Sequence, residues 1–578
     1  MGRRETIRAR LAVMYGLLAF GSFVLIGRLV YLQVIDAPRL SELAFKQRTR
    51  EINLSSVRGE ILDRSGEELA VSIDAYSVYA HPSEFDLPAK EVATRLAPVI
   101  GMPAEELLQN LEGKHWRWLL RQQDEKLGKA VRKLDIAGIG VLKEKKRVYP
   151  KGTLAAPLLG FVGVDNQGLA GIEHAFDKVL AGPPQKLLVS VDAYGRELLR
   201  DNPDSPLRTI LTDGAKVTLT LDETLQHIAE RELEQSIKKL DARRGAALVM
   251  DPKTGDILAF AIQPSYDPNA FEKASWAQIK NWAVSDVYEP GSTMKLFTIA
   301  AALEAGKITP RTLFPCGRSI KVQNRVITDH EAPRETRMLD PFGILEISSN
   351  IGTVQIGLRM PARVHYRLLR RFGFGEETGS KITGEVAGLM PRQPWRQITQ
   401  ATITFGQGIS VTPLQILNAA CAFANGGVGV QPRLISKVVS PEGEVLQEFP
   451  TVSRGQVVSA YTAKEVMAML RKVVETGTGT AADVPGYHAA GKTGTAQRIR
   501  EDGRGYSSDV IASFLGFVPY EDPRLAILTI LDSPRKDHWA ASTAAPLFRQ
   551  IAQQSLQSLG VKPTAPLQEP KHESTSID

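Results

Sequence analysis

The sequence EPGSTMKLFTIAAALEAG, from Glu289 to Gly306, carries the strongest structural and chemical signals of this 578-residue chain. A Pro-Gly pair interrupts what precedes, and the apolar run that follows is typical of a buried helix ending at Gly306. Ser292 then lies in the first turn, where free backbone N–H groups and the helix dipole favour a developing negative charge. Lys295 follows three residues later, on the same face. Because a cation is unfavourable at this end of a helix, burial there predicts a lowered pKa and a usable base.

The simpler interpretation is that Ser292 only caps the helix, as serines at helix starts often do. The S-x-x-K spacing also occurs at Ser236/Lys239 and at Ser533/Lys536, in polar surroundings. The spacing alone is therefore weak evidence for a nucleophile.

Two downstream motifs strengthen the chemical interpretation. A triplet SSN runs from Ser348 to Asn350, and a hydroxyl-rich segment KTGT runs from Lys492 to Thr495. Together with S-x-x-K, in this order, they form the motif set of penicillin-binding proteins and class A β-lactamases. The chain resembles a class B penicillin-binding protein, a membrane-anchored peptidoglycan transpeptidase.

The resemblance implies a role for each motif residue. Ser292 is the nucleophile and Lys295 its base, and the backbone N–H groups of Ser292 and Thr495 form the oxyanion hole. Ser349 replaces the Asp of the common S-D-N form, at a position that the family pattern leaves open. No metal or organic cofactor is implied. The remaining expected site residues are Ser348 and Asn350 for proton relay and peptide binding, Lys492 for electrostatics, and Thr493, Gly494 and Thr495 for the substrate carboxylate and backbone.

The implied reaction is acyl transfer from the D-alanyl-D-alanine end of a stem peptide, with β-lactams acting as substrate mimics. The segment EPGST and the segments around Arg58 and Gly160 resemble most closely those of septal, cell-division penicillin-binding proteins. That likeness implies a glycan-polymerising membrane partner and other divisome proteins. An elongation-type role remains the closest alternative.

The expected architecture is α+β, with a serine β-lactamase-like transpeptidase domain built on a central antiparallel sheet and a helical subdomain. Apolar runs at 245–250 and 256–262, and again at 511–518 and 525–531, predict two hairpins whose strands meet in that sheet. The expected divisions are a cytoplasmic tail at 1–10, a transmembrane anchor at 11–35, a pedestal domain at 36–215, the transpeptidase domain at 216–560 and a disordered tail at 561–578.

The N-terminal segment predicts a single-pass inner-membrane protein. Four arginines precede an uncharged apolar run that begins at Leu11, and the segment to Ile35 is long enough to cross a bilayer. The basic flank is expected to stay in the cytoplasm, which places the rest of the chain on the periplasmic or extracellular side. A cleaved signal peptide is the alternative, but no small-x-small site follows.

Composition narrows the function classes further. The net charge of +7, from 71 basic and 64 acidic residues, comes without a basic stripe carrying interleaved aromatics, so nucleic acid is not an expected partner. The two cysteines, Cys316 and Cys421, lack metal-ligand spacing and are not expected to form a disulfide. No motif predicts a metal site.

Other functions remain as alternatives. Residues 486–493 match the P-loop pattern G-x-x-x-x-G-K-[ST], although no apolar strand precedes them and Gly494 interrupts any helix. A β-lactamase needs a deacylating carboxylate, and Glu385 lies at a comparable place without the Leu-Asn that should follow. A penicillin sensor would carry several membrane helices. A class A penicillin-binding protein would carry a glycosyltransferase signature, which we do not find in this sequence. A catalytically silent divisome scaffold is also consistent with the motifs.

Overall fold

The computed structural model describes residues 2–54, 56–113, 115–182, 185–190, 213–331, 333–500 and 504–566. The chain has the predicted α+β architecture, and it divides into two compact units. One unit comprises Met1–Val57 and Gly182–Asp213, and the other comprises Arg58–Ala181 and Gly214–Asp578.

The described residues contain nineteen α-helices and twenty strands, with short 3₁₀ and π segments between some of them. The helices are α1 Gly2–Val30, α2 Ala37–Arg48, α3 Ala89–Ile100, α4 Ala104–Leu111, α5 Glu125–Arg132, α6 Ala156–Leu159, α7 Gly171–Ala175, α8 Asp177–Leu180, α9 Glu223–Leu240, α10 Trp276–Ile279, α11 Trp282–Ser285, α12 Met294–Glu304, α13 Pro341–Glu346, α14 Asn350–Leu358, α15 Ala362–Arg371, α16 Gln397–Thr404, α17 Pro413–Ala424, α18 Ala460–Glu475 and α19 Ala544–Ser558. The strands are β1 Thr49–Leu54, β2 Ile61–Leu62, β3 Glu68–Ala80, β4 Arg117–Gln123, β5 Ile139–Val148, β6 Gln185–Ser190, β7 Lys216–Leu219, β8 Arg244–Met250, β9 Ile257–Gln263, β10 Phe314–Cys316, β11 Ser319–Val322, β12 Arg325–Thr328, β13 Arg337–Leu339, β14 Val428–Val430, β15 Ile435–Val439, β16 Val445–Glu448, β17 Ser453–Gln456, β18 Ala490–Ile499, β19 Tyr506–Val518 and β20 Leu525–Asp532.

The smaller unit contains the apolar N-terminal helix. Helix α1 continues through a π-helical segment, Tyr31–Ile35, and the stretch Ile7–Ile35 is long and apolar enough to cross a membrane. This observation agrees with the predicted single-pass anchor, whose expected limits were 11 and 35. The same unit contains the antiparallel pair of β1 and β6.

A five-stranded antiparallel sheet forms the centre of the larger unit, in the order β18-β19-β20-β8-β9. Both predicted hairpins are confirmed, and strands from the two ends of the transpeptidase region pair as β20 with β8. These strands read as continuous apolar runs because both faces of the sheet are covered, which leaves their side chains buried. Helix α9 begins after Asp222, which caps it by accepting a hydrogen bond from Leu225 N.

A seven-stranded sheet joins the pedestal region to the transpeptidase region. Its order is β16-β15-β7-β2-β3-β4, with β5 also paired to β3. The parallel pairing of β2 with β7 aligns Ile61 with Val217, so this sheet runs across the boundary expected at 215/216. The pairing of β2 with β7 could not be predicted from local sequence patterns, because these strands are distant in the chain. The domain limits given above remain a prediction.

A buried charge cluster holds the pedestal part of the larger unit together. Arg58 Nε donates to Glu173 Oε2 at 2.6 Å, and Arg147 Nε donates to Glu173 Oε1 at 2.7 Å. Asp177 accepts from Arg58 Nη1 at 2.7 Å. From the residues alone, the segments at 58–70 and 160–173 predict only turns and loops, because nothing local links Arg58 to Glu173, 115 positions away.

Cys316 and Cys421 are both buried and free. The predicted disordered tail starts too early, because Thr564 N and Ala565 N both donate to Gly486 O, and Tyr487 Oη donates to Val561 O. Residues 567–578 lie outside the described residues, and so do residues 192–196, a third segment that resembles the pedestal of class B penicillin-binding proteins.

Candidate active site

The expected nucleophile lies on a short 3₁₀ turn, Gly291–Thr293, that leads directly into helix α12. Ser292 is half-buried, whereas its neighbours on the turn and helix are buried. Gly291 N donates to Gly406 O at 3.2 Å, and a Cβ at Gly406 would lie 2.2 Å from Gly291 O. Residue 406 must therefore be glycine, because the two backbones touch there.

Lys295 lies in the first turn of α12 with none of its surface exposed. Its Nζ donates to the carbonyl oxygen of Ser348 and, at 3.2 Å, to the Ser348 hydroxyl. Burial lowers the pKa of Lys295 to about 7, against a smaller opposite effect from the charge of Asp329. The predicted burial of this lysine is confirmed, and the lowered pKa follows from that burial.

The SSN triplet forms the link between α13 and α14. Ser348 has φ +59°, in the left-handed region that a non-glycine residue adopts at a cost, and this conformation turns its carbonyl and hydroxyl towards Lys295. Ser349 caps α14 by accepting from Gly352 N at 3.0 Å. Asn350 begins that helix, and its Nδ2 donates to Thr328 O at 2.9 Å.

Asp329 is a site residue that we did not predict from the sequence. One carboxylate oxygen accepts from Ser349 Oγ at 2.6 Å, and the other accepts from the backbone N–H groups of Asn350 at 2.5 Å and Ile351 at 3.0 Å. Asp329 thus supplies, from a loop after β12, the carboxylate that the SSN triplet lacks. No motif spacing signals this role; the only available hint was a polar TDH segment ending an apolar strand.

The KTGT segment lies on β18, the edge strand of the five-stranded sheet, as predicted. Lys492 is completely buried, and its Nζ donates to the Thr493 hydroxyl at 3.1 Å. Burial lowers its pKa well below the usual value, and the nearby charge of Lys295 lowers it further. The Thr493 hydroxyl also bonds the Thr478 hydroxyl at 3.0 Å.

The nucleophile turn packs against this edge strand. A Cβ at Gly494 would lie 3.0 Å from Thr293 Cγ2 and 2.6 Å from Ser513 Oγ, so glycine is needed there for the turn and strand to meet. Thr495 is half-buried, and its hydroxyl accepts from Ala540 N at 3.4 Å. The structure therefore brings all three motifs together. The turn that carries Ser292 packs against the strand that carries KTGT, and Lys295 contacts Ser348 of the SSN triplet.

The P-loop hypothesis for 486–493 is wrong, because Lys492 lies inside strand β18, which continues to Ile499, where a P-loop would begin a helix. A further KTG triplet, Lys253–Gly255, lies in the turn between β8 and β9, where Gly255 has φ +80°.

Glu385 does not have the surroundings of a deacylating base. One oxygen accepts from Thr378 N at 2.8 Å, and the other accepts from Ser380 N at 3.2 Å and Ser380 Oγ at 3.0 Å. Its carboxylate is therefore occupied in holding the loop at 378–380.

Comparisons with known proteins agree with this geometry. The family described as "Penicillin binding protein transpeptidase domain" matches residues 245–553, and the "Penicillin-binding Protein dimerisation domain" matches residues 53–210. Peptidoglycan D,D-transpeptidase FtsI of Escherichia coli is 32% identical over 571 residues, covering 96% of this chain and 93% of that protein. Stage V sporulation protein D of Bacillus subtilis is 33% identical over 570 residues, covering 96% and 87%.

A solved structure shows the same fold. Penicillin-binding protein 3 of Mycobacterium tuberculosis, crystallised with aztreonam, has a TM-score of 0.69 and 30% identity, covering 89% of this chain and 99% of that one. Three observations indicate the same family: the two matching domains lie in the expected order, the relatives match along 96% of this chain, and the motifs meet in one site. This chain therefore belongs to the class B penicillin-binding proteins.

Proposed function

We propose that this chain is a membrane-anchored peptidoglycan D,D-transpeptidase that works through an acyl-enzyme on Ser292. The observation that carries the proposal is Lys295, a fully buried amine with a pKa of about 7, one helical turn from Ser292 and in contact with the Ser348 hydroxyl. A neutral amine at this place can accept the proton that a serine nucleophile loses.

In the first step, Ser292 Oγ attacks the carbonyl carbon of the penultimate D-alanine, and its proton moves to Lys295. The backbone N–H groups of Ser292 and Thr495 stabilise the oxyanion. The C–N bond to the terminal D-alanine then breaks, and the leaving amine receives a proton through Ser348. In the second step, the amine of a neighbouring stem attacks the ester, forms the cross-link and regenerates Ser292.

The other predicted residues bind the donor stem. The hydroxyls of Thr493 and Thr495 hold the terminal carboxylate, beside Gly494 on the edge strand. Asn350 hydrogen-bonds the peptide backbone, and Lys492 sets the potential at the carboxylate end. Lys492 is buried without a carboxylate partner among the described residues, so the arriving substrate carboxylate is the group that would hold it in its charged form.

Intact-mass spectrometry with benzylpenicillin tests this assignment on the detergent-solubilised chain. We expect a lasting adduct on the wild type and on Ser236→Ala, a matched control because Ser236 begins another S-x-x-K. Ser292→Ala should carry none. An adduct on Ser292→Ala would refute the assigned nucleophile, and drug consumption without any adduct would support a β-lactamase instead.

The cellular setting is a further part of the proposal. The basic N-terminal flank supports a cytoplasmic tail and a periplasmic or extracellular catalytic domain. Similarity to FtsI supports septal cell-wall synthesis with a glycan-polymerising partner and divisome proteins, although a sporulation protein is equally similar. Protease digestion of intact spheroplasts should degrade the catalytic domain; protection would refute this orientation.

A further inference from the structure

A group of exposed arginines lies on the helical part of the transpeptidase region, and the proposed function does not use it. Residues 351–375 contain five arginines and no acidic residue, and residues 386–432 contain two arginines and again no acidic residue. Arginines scattered over a surface are only solvated there, so what matters is whether the fold gathers them in one place.

Two of these arginines are neighbours on helix α15. The helix buries one side, which includes His365, Leu368 and Leu369, against the rest of the domain. Arg363 and Arg367 are exposed. Because residues four apart lie next to each other on a helix, both guanidiniums belong to the same solvent-facing stretch of α15.

Two more come from the loop before α16, which packs on the start of α15. Gln393 Nε2 donates to Ala362 O at 3.4 Å. The Trp395 ring meets the rings of His365 and Tyr366 nearly at right angles, with centroids 5.7 and 5.6 Å apart. The exposed arginines of the loop therefore share a surface with those of the helix. This arginine patch consists of Arg363, Arg367, Arg392 and Arg396.

The charge of the arginine patch is not compensated by carboxylates. None of its four guanidiniums has an ion-pair partner among the residues that the structure describes. Arg370 on the same helix differs, because its guanidinium bonds the carboxylate of Glu376. Four exposed positive charges without a bonded carboxylate create a positive potential that attracts anions.

The chemistry of the patch favours a hydrated ligand with carboxylates. A guanidinium matches a carboxylate through two parallel hydrogen bonds. Leu368, Leu369 and Trp395 are buried, so the patch presents charge rather than the apolar anchors that dominate protein–protein interfaces. The apolar side of α15 is also unavailable to a lipid surface, into which a membrane-binding amphipathic helix must insert that side.

A neighbouring cavity relates the patch to the nucleophile turn. Tyr366 of α15 and Pro391 of the loop line this cavity of about 480 Å³, and so does Glu289, which lies three residues before Ser292. A polymer strand with one stem peptide at Ser292 therefore has the patch about one cavity width away, where a neighbouring stem can reach it.

We propose that the arginine patch is a second binding surface for the peptidoglycan polymer, holding the carboxylates of stem peptides other than the one at Ser292. The inference rests on the proposed transpeptidase function and adds to it a contact outside the active site. Such a surface keeps the polymer on the enzyme while a cross-linked stem leaves the active site and another enters.

Cosedimentation with purified sacculi, the insoluble peptidoglycan polymer, tests this binding. The detergent-solubilised full-length chain is first acylated with benzylpenicillin, so that the active site is occupied, and the sacculi are freed of phosphate-containing polymers. Arg363→Gln/Arg367→Gln should weaken binding about tenfold at low salt, and the wild-type advantage should shrink as salt screens the charges. Arg392→Gln/Arg396→Gln should have the same effect.

A matched control removes the same charge elsewhere. Lys464→Gln/Arg549→Gln takes two exposed cations from α18 and α19, and its binding should stay within about twofold of the wild type. If the patch variants bind as the control does, the patch is only a solvated surface and the inference is wrong.

Chemically altered sacculi identify the ligand. Sacculi whose carboxylates have been amidated should bind the wild type and Arg363→Gln/Arg367→Gln equally. A difference that persists after amidation, or that appears only on sacculi retaining phosphate-containing polymers, would overturn the assignment of stem carboxylates.

Turnover separates the patch from the active site. Arg363→Gln/Arg367→Gln should raise KM for polymeric peptidoglycan about fivefold, while D-alanine release from a soluble stem pentapeptide and acylation by benzylpenicillin stay unchanged. Equal losses on polymer and pentapeptide would contradict a separate surface. Absence of a benzylpenicillin adduct on the wild type would overturn the proposed function, and sacculus binding by the unacylated chain would still decide whether the patch holds the polymer.

Discussion

The pedestal and the active site each bury two cationic side chains, Arg58 and Arg147 in one and Lys295 and Lys492 in the other. In the pedestal, Glu173 lies between the two guanidiniums and bonds both, at 2.6 and 2.7 Å. Among the residues that the structure describes, neither lysine has a carboxylate within ion-pair distance.

This difference separates a structural cluster from a reactive one. Removing charges from water costs several kcal/mol per ion, and a well-placed carboxylate offsets that cost. Where no carboxylate does so, the group gives up its proton instead, and its pKa falls. The pedestal cations share a buried carboxylate, whereas burial lowers the pKa of Lys295 to about 7 and that of Lys492 also.

The largest effect is expected when the reactive amine is removed. Lys295→Met should slow acylation by benzylpenicillin by about 10³- to 10⁴-fold, because general-base transfer contributes up to that range. Stopped-flow or quenched mass spectrometry measures the rate. Lys239→Met, on the surface of α9, is the control, and a loss below about tenfold at Lys295 would contradict its role as base.

Breaking the pedestal cluster should chiefly affect stability. Glu173→Gln leaves Arg58 and Arg147 buried without their shared carboxylate, and we expect a loss of about 3–5 kcal/mol in unfolding free energy. Chemical unfolding of the solubilised chain measures it. Asp74→Asn, which removes an exposed carboxylate from Lys143 and Lys145, should cost less than about 1 kcal/mol. Equal losses would mean that burial is not the deciding factor.

The pH dependence of stability sharpens the contrast. The folded-state pKa of Lys295, about 7, lies below its usual 10.5, so between these values the unfolded chain binds more protons. Unfolding free energy should therefore rise with pH in that window, by at most about 1.4 kcal/mol per unit for one lysine. Lys295→Met should show a smaller slope when unfolding is measured between pH 7 and 10. Identical slopes would refute the lowered pKa.

The smallest expected effect concerns Asp329. Asp329→Asn removes the negative charge that raises the pKa of Lys295, so the midpoint of the pH–acylation profile should move to lower pH by a fraction of a unit. The maximum rate should fall about tenfold as the hold on Ser349 and Asn350 weakens. A midpoint that stays or moves upward would contradict this coupling.

Several features were predictable because their causes are local. The helix after Ser292, the cap at Asp222 and both hairpins depend on apolar periodicity and turn residues within a few positions. The motif residues were predictable through resemblance, since three short motifs in order are jointly specific.

What the sequence alone determined was the identity of the motif side chains and the elements that carry them. Only the tertiary structure decided which partners those side chains meet. Asp329 reaches the SSN triplet from 20 residues away, and Glu173 reaches Arg58 from 115 residues away. A pKa depends on burial and on nearby charges, and both arise only when distant segments pack together. For that reason the sequence contains the lysine, and the fold lowers its pKa.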